Sequence, residues 1–290
     1  MINKVAKRAK RALIAQENKE IVFNKRTTLN IQKPITLHLK QIFKMPDLSK
    51  HAQIQLMQGT TNQAIAHFYN SDQNIRQATF NFASSRHVGG GYLNGAMAQE
   101  EELCRTIIDL YPSLATDGSS YPPGTFNWWQ NVKYLSNLHV HREDDAQSNG
   151  NYNILQKSIP VSIITVAAPN LNAGEQLNIF RENPKVIFDE LKQIIKLACM
   201  SPIIIGDNIN VLILGALGCG AFAPSDFIQT EVLGSVQYTH IIANIFIDVL
   251  LSTQNLLSAY DCICFAIPKG PNYDAFLETF TTNKIKFLTI

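Results

Sequence analysis

Disulfide and zinc frameworks are both missing from this 290-residue chain. Its five cysteines (Cys104, Cys199, Cys219, Cys262 and Cys264) are odd in number, sit mostly in apolar runs and form no C-x-x-C pair. That pattern argues for buried thiols in a reduced, cytoplasmic-type interior. Net charge is also nearly absent: a formal +2 gives no overall field that would draw in nucleic acid or a membrane surface. The longest apolar run, IIANIFIDVLL from Ile241, is interrupted by Asp248 and is too short to span a bilayer. The opening MINKVAKRAKRALIAQE has no apolar h-region and no small-residue cleavage site, so a secretory signal peptide is not expected. The Walker A spacing is absent. Gly215, Gly218 and Gly220 read G-x-x-G-x-G, which is not the dinucleotide fingerprint G-x-G-x-x-G. Internal repeats and low-complexity tracts are absent too.

What is present is ample apolar material, 46% of residues, for one large core. Near-continuous apolar runs at Ala78 to Phe82, Val161 to Ala168, Val211 to Ala216 and Asp261 to Ile267 read as strands covered on both faces. Between the second and third lies NPKVIFDELKQIIKLACM. Asn183 is its expected N-cap and Pro184 its first helical residue, with Ile187, Leu191, Ile194, Ile195 and Ala198 on one face. A strand, helix, strand order predicts an α/β fold with a mixed or mostly parallel sheet between two helical layers. The stretch from about Asp117 to Gly150 is rich in turn residues and has no sustained period, so it is expected to be a surface excursion. Residues 1–70 are expected to form a partly helical extension packed on a core of residues 71–290, the whole being one structural unit.

In open α/β sheets ligands bind beyond the carboxyl ends of strands, and two such loops here are glycine-rich. The first, HVGGGYLNGA, contains Gly89, Gly90 and Gly91; the second, GALGCGAF, runs from Gly215 to Phe222. Glycines there permit positive φ, and exposed N–H groups can cradle phosphate. After a gap of seven residues beyond Gly91 comes Gln99-Glu100-Glu101, within AQEEELCRTIIDL, in which Leu103, Ile107 and Leu110 share a helical face. Taken alone, Glu100, Glu101 and Glu102 are first-turn acids, each favoured by the macrodipole by a few tenths to about 1 kcal/mol. Beside a glycine loop they gain a second reading. Adjacent carboxylates push one pKa upward, so one can serve as an acid while its neighbour stays an anion.

Other groups read as structural. His139, His141, Glu143, Asp144 and Asp145 lack regular metal-ligand spacing. Cys219 has no histidine placed to activate it, and Trp128-Trp129 reads as packing. Lys4, Lys7, Arg8, Lys10 and Arg11 form a basic stripe on an N-terminal helix, a solvated face that would at most steer a polyanion.

Together these residues resemble the microbial-type poly(ADP-ribose) glycohydrolases, a branch of the macrodomain fold. The signature of three glycines, a short gap and Gln-Glu-Glu stands here as Gly89-Gly90-Gly91, seven residues, then Gln99-Glu100-Glu101. The likeness continues through LYPSL from Leu110, TVAAPN from Thr165, LGALGCGAF from Leu214 and CFAI from Cys264, covering about residue 10 to near the C-terminus. The resemblance implies a three-layer α/β/α sandwich that binds ADP-ribose between the two loops. It implies that Gly89, Gly90 and Gly91 lie against the diphosphate and distal ribose, that Gly218, Cys219, Gly220 and Ala221 cradle the diphosphate, and that Phe222 presses on the ribose. Gln99 and Glu100 would hold the sugar or leaving group, and Glu101 would be the catalytic acid/base, with no metal or cofactor required. The implied partner is poly(ADP-ribose) or an ADP-ribosylated acceptor, protein or nucleic acid; the alternatives are a reader that binds ADP-ribose without turnover, or a hydrolase of ADP-ribosylated nucleic acid or of a free ADP-ribose derivative. Macrodomains often read adenine with an early Asp, which QLMQGTTNQAI lacks (it offers Gln58, Thr60 and Thr61), so Pro268 to Tyr273 is the substitute candidate.

Overall fold

The computed structural model describes residues 4–25, 29–39, 51–117, 131–172, 174–224, 228–230, 234–236 and 238–290. Its centre is an eight-stranded mixed sheet, built from β1 (Ile35–His38), β2 (Gln53–Gln58), β3 (Gln77–Ala83), β4 (Asn131–Arg142), β5 (Ile154–Ala167), β6 (Val211–Leu214), β9 (Cys262–Ile267) and β10 (Phe287–Thr289). The order is β1-β4-β5-β3-β6-β9-β2-β10. β4 runs antiparallel to β1 and β5, and the other neighbours are parallel. Two short strands, β7 (Ile228–Thr230) and β8 (Gly234–Val236), pair separately.

Each central strand divides its side chains between two cores. In β9, Ile263, Phe265 and Ile267 face one cluster while Cys262, Cys264 and Ala266 face the other. β6 does the same, with Leu212 and Leu214 opposite Val211 and Ile213. A strand sealed on both faces has no polar face to show, which is why these runs are continuously apolar. One face carries α5 (Glu175–Glu182), α6 (Pro184–Ile205), α7 (Tyr238–Ser252) and α8 (Pro271–Thr282). The other carries α1 (Lys4–Lys25), α2 (Thr61–Ser71), α3 (Gln99–Thr106) and α4 (Leu110–Ala115). This is the expected three-layer sandwich. All five residues predicted for the inner face of α6 are buried, although the Asn183 side chain makes no capping bond.

Three expectations change. First, residues 1–70 supply more than an extension: β1 pairs with β4, and β2 lies inside the sheet between β9 and β10. Second, part of the expected excursion is the twelve-residue strand β4, buried along most of its length. Its period is hidden because Lys133 is buried in a pair with Asp117 and because Asn137, at φ 53°, breaks the register between Leu135 and Leu138. Third, α3 stops at Thr106, and α4 begins only at Leu110. Pro112 explains the break: in a continuous helix it would leave the Ile108 carbonyl without a donor and clash with it, whereas in the first turn of α4 it is tolerated. Trp128 and Trp129 lie outside the described residues.

Candidate active site

The chain leaves the carboxyl end of β3 to build β5 on one side and, later, β6 on the other, so β3 marks a topological switch point. The first glycine loop follows β3, and the second follows β6 beside it.

The first turn of α3 is held by a different anchor at each residue. Gln99 clamps the strand it follows: its Oε1 accepts from Phe82 N (2.8 Å), and its Nε2 donates to Phe80 O (2.6 Å) and to Thr61 Oγ1 (3.2 Å). Both amide donors are therefore engaged inside the protein, so Gln99 acts as a brace between β3 and α2 rather than as a free sugar-binding amide. Glu100, 3% exposed, accepts from Ser84 N at 2.8 Å, fixing the turn out of β3. Glu101, 8% exposed, accepts from Gly91 N at 2.8 Å through Oε1, while Oε2 is buried with no hydrogen-bond partner among the described residues. A buried carboxylate oxygen left unmatched in this way is costly to the fold, and such a group calls for a functional explanation.

Glu102 points elsewhere. Its Oε1 accepts from Asp145 N (2.7 Å) and its Oε2 from Tyr152 Oη (2.8 Å), with Arg105 paired at 3.1 Å. Burial raises its pKa, and these donors partly offset the rise. Arg105, itself fully buried, also donates to Ala96 O and lies 5.8 Å over the Tyr152 ring. Sequence reading assigned Glu102 no role. Two of its partners, Asp145 and Tyr152, are 43 and 50 residues away, and only the fold brings them to it.

The three glycines answer to the protein's own packing. Gly90 has φ +55°, and a Cβ there would stand 2.5 Å from Glu101 Oε1 and 3.2 Å from Glu100 Oε2. A Cβ on Gly89, at φ +65°, would meet the Tyr111 ring at 2.8 Å. One on Gly91 would meet Ala96 Cβ at 2.6 Å. The N–H of Gly90 is taken by His87 O and that of Gly91 by Glu101. Gly90 is therefore needed first to let two carboxylates lie against the backbone, and Gly89 and Gly91 to admit Tyr111 and Ala96, constraints that spacing alone did not reveal.

The second loop leaves more of its backbone N–H groups unengaged among the described residues. Gly218, at φ +77°, is packed against Ala168 and Tyr238, but a Cβ on Gly220 would meet nothing within 4 Å. Among the described residues no acceptor takes the N–H groups of Gly220, Ala221 or Phe222, and Gly220 and Ala221 are exposed. The loop's carbonyls are tethered: Phe222 O to Leu171 N, Ala221 O to Asn172 Nδ2 and Cys219 O to Asn272 Nδ2. Asn272 thus props this loop, and Thr239 Oγ1 bonds it in turn. Phe222 is half-buried. Cys219 is buried, and burial pushes its thiol up to about 12, which removes it as a nucleophile at neutral pH.

Thr60, singled out near the adenine question, caps α2 through a reciprocal bond pair with Gln63 and donates to Asp144 Oδ2 at 2.6 Å. Among the described residues no group of three or more His, Cys, Asp or Glu converges as a metal site. Glu143 accepts from Asn153, and Asp144 is occupied by Thr60 and Gln147. The basic stripe is not wholly solvated either. Arg8 Nε donates to Asn94 O (2.9 Å) and Arg11 Nε to Gly95 O (3.0 Å), while Lys10 reaches Asn151.

A protein-family model described as "microbial-type PARG, catalytic domain" matches residues 4–137, a span that includes both the glycine triplet and Gln99-Glu100-Glu101. No curated protein matches the chain. Among solved structures, the poly(ADP-ribose) glycohydrolase of Thermomonospora curvata superposes with a TM-score of 0.75 at 23% identity, covering 94% of this chain and 100% of that one. The same enzyme bound to the inhibitor ADP-HPD gives 0.72 at 23% identity over the same shares. The glycohydrolase of Deinococcus radiodurans in complex with ADP-ribose gives 0.61 at 20% identity over 92% of each chain. Residues 4–137 thus carry the sequence pattern of the microbial-type PARG catalytic domain, on a chain that has the fold of the bacterial poly(ADP-ribose) glycohydrolases.

Proposed function

We propose that the chain is an ADP-ribosyl glycohydrolase, cleaving the O-glycosidic bond at the distal ribose of poly(ADP-ribose) or of mono-ADP-ribosylated acceptors and releasing ADP-ribose. The observation that carries this reading is Glu101: one oxygen is fixed by the glycine loop after β3 and the other is buried without a partner among the described residues, while the loop after the neighbouring strand β6 presents an exposed run of backbone N–H groups. A diphosphate against Gly218 to Phe222 would set the distal ribose between the loops, with Phe222 against its face. Protonated Glu101 then gives its proton to the departing oxygen as the bond to the anomeric carbon breaks. The oxocarbenium-like centre is held by the substrate's own diphosphate. The carboxylate next takes a proton from water as the water oxygen bonds to that carbon, which returns Glu101 to its starting state. Glu100 orders the turn and adds negative potential beside the cationic centre. No step calls for a metal or cofactor, so turnover is expected to persist in excess EDTA; abolition with rescue by a divalent ion would overturn this mechanism. Five free, buried cysteines support a reducing compartment, the cytoplasm, as its location. Among the described residues no helix is long and apolar enough to cross a membrane.

The test compares wild type with Glu101→Gln on poly(ADP-ribosyl)ated and mono-ADP-ribosylated protein, with ADP-ribose affinity followed by calorimetry. Loss of a proton donor in the transition state should cost about 10²–10⁴ in rate, with ADP-ribose binding retained. Two folded proteins that bind ADP-ribose and release none from protein or nucleic-acid conjugates would mark the chain as a reader.

A further inference from the structure

The turn that bears on Glu101 is gripped from outside the sheet. Gly91 N donates to Glu101 Oε1, and Gly91 O accepts from both Asn94 N and Ala96 N, so residues 91–96 form one closed unit with the carboxylate. On its inner side Arg105 holds Ala96 O. On its outer side stands α1: Arg8 Nε donates to Asn94 O and Arg11 Nε to Gly95 O, while Asn18 Nδ2 donates to Tyr92 Oη and to Arg105 O. The approach is close. A Cβ on Gly95, whose φ is +70°, would overlap the Arg8 carbonyl, with Ala12 N next to it. Asn18 is buried and is itself held by Arg142.

We propose that Arg8 and Arg11 are positioning residues for glycohydrolysis: through the 91–96 turn, α1 fixes where the Glu101 carboxyl group stands. Two of the five cations in the basic stripe therefore work by direction rather than by charge. This rests on the glycohydrolase reading above. The bonds engage carbonyls at the tip of the turn, three to four residues from the Gly91 N–H that meets Glu101, so loosening them frees the carboxylate without touching the ligand cradle on the second loop. Misplacing a reacting group by an ångström costs on the order of 10²-fold in rate.

The experiment uses the full chain carrying Arg8→Ala with Arg11→Ala, and separately Gly95→Ala, which disturbs the same contact without changing charge. Phe280→Leu, in the opposite core, serves as a control for stability lost elsewhere. Expected for both test variants is a kcat lowered 10- to 100-fold at saturating poly(ADP-ribose), at low and high salt alike. KM and ADP-ribose affinity should stay within threefold, and hydrogen exchange should speed up at the amides of residues 90–97. Normal kcat in the double variant overturns the proposal. So does a loss confined to kcat/KM at low salt, which is electrostatic steering, or a loss no larger than in Phe280→Leu at equal melting temperature. Should the wild type release no ADP-ribose, the glycohydrolase reading fails, and the exchange measurement alone decides whether α1 holds the turn: unchanged protection of 90–97 in the double variant sinks it.

Discussion

Gly90 joins backbone conformation to acid placement in a single residue. Its positive φ costs a residue with a side chain about 1–2 kcal/mol, and a Cβ there would stand within 2.5 Å of Glu101 Oε1. Gly90→Ala should therefore leave a folded protein with at least a 100-fold lower kcat, since the carboxylate must move to admit the methyl group. Circular dichroism with single-turnover kinetics checks this, and an active variant would mean that the Glu101 position is not critical. Neighbouring acids show why residue type alone misleads. Glu100, Glu101 and Glu102 are consecutive and chemically alike, yet each reaches a different anchor: Ser84, Gly91 and the Asp145–Tyr152 turn.

Between α3 and α4 sits a carboxyl group whose titration should be visible in stability. Asp109 is buried, and burial raises its pKa from an ordinary 3.8 to about 7. Neither oxygen has a partner of hydrogen-bond geometry among the described residues, though the N–H groups of Asn30, Asp109 and His139 lie near enough to hold the rise back. Because the folded value exceeds the unfolded one, the favourable contribution of the neutral acid is complete below about pH 4 and is lost as pH climbs through about 7. Asp109→Asn should thus stabilise the protein at pH 8, by at most about 4 kcal/mol, and have little effect at pH 4. Urea unfolding at the two pH values measures it, and equal effects would show that the group titrates normally.

These elements also show what sequence can and cannot carry. α6 was legible because Ile187, Leu191, Ile194, Ile195 and Ala198 recur at the helical period and all are buried. The signature around Gly89 and Gln99 was legible because the site is built from neighbouring residues. β4 was hidden because a buried Lys133 and the irregular Asn137 mask its alternation. The bracing role of Gln99 and the reach of α1 to Gly95 depend on partners 17 to 84 residues away, which no local pattern encodes.

At the scale of the molecule, the first seventy residues are structurally committed to the rest. Without them the sheet loses β1 and the strand between β9 and β10, the α3-facing core loses Ala64, Ile65 and Phe68, and Gln99 loses its Thr61 partner. A chain of residues 71–290 is therefore expected to be aggregated or molten, with near-ultraviolet dichroism lost. A soluble, cooperatively unfolding fragment would establish 71–290 as an autonomous domain.

The placement of β2 between β9 and β10 also sets a timetable. During synthesis, residues 53–58 leave the ribosome long before residues 262–267 and 287–289, the strands they pair with among the described residues. At about 5–20 residues per second, β2 waits on the order of ten seconds or more with both edges bare. Over that interval the nascent chain carries Ile54, Leu56 and Met57 on a strand whose pairing partners have not yet been made. Folding of this sheet thus closes at its end, and slower translation upstream of β9 lengthens the exposure.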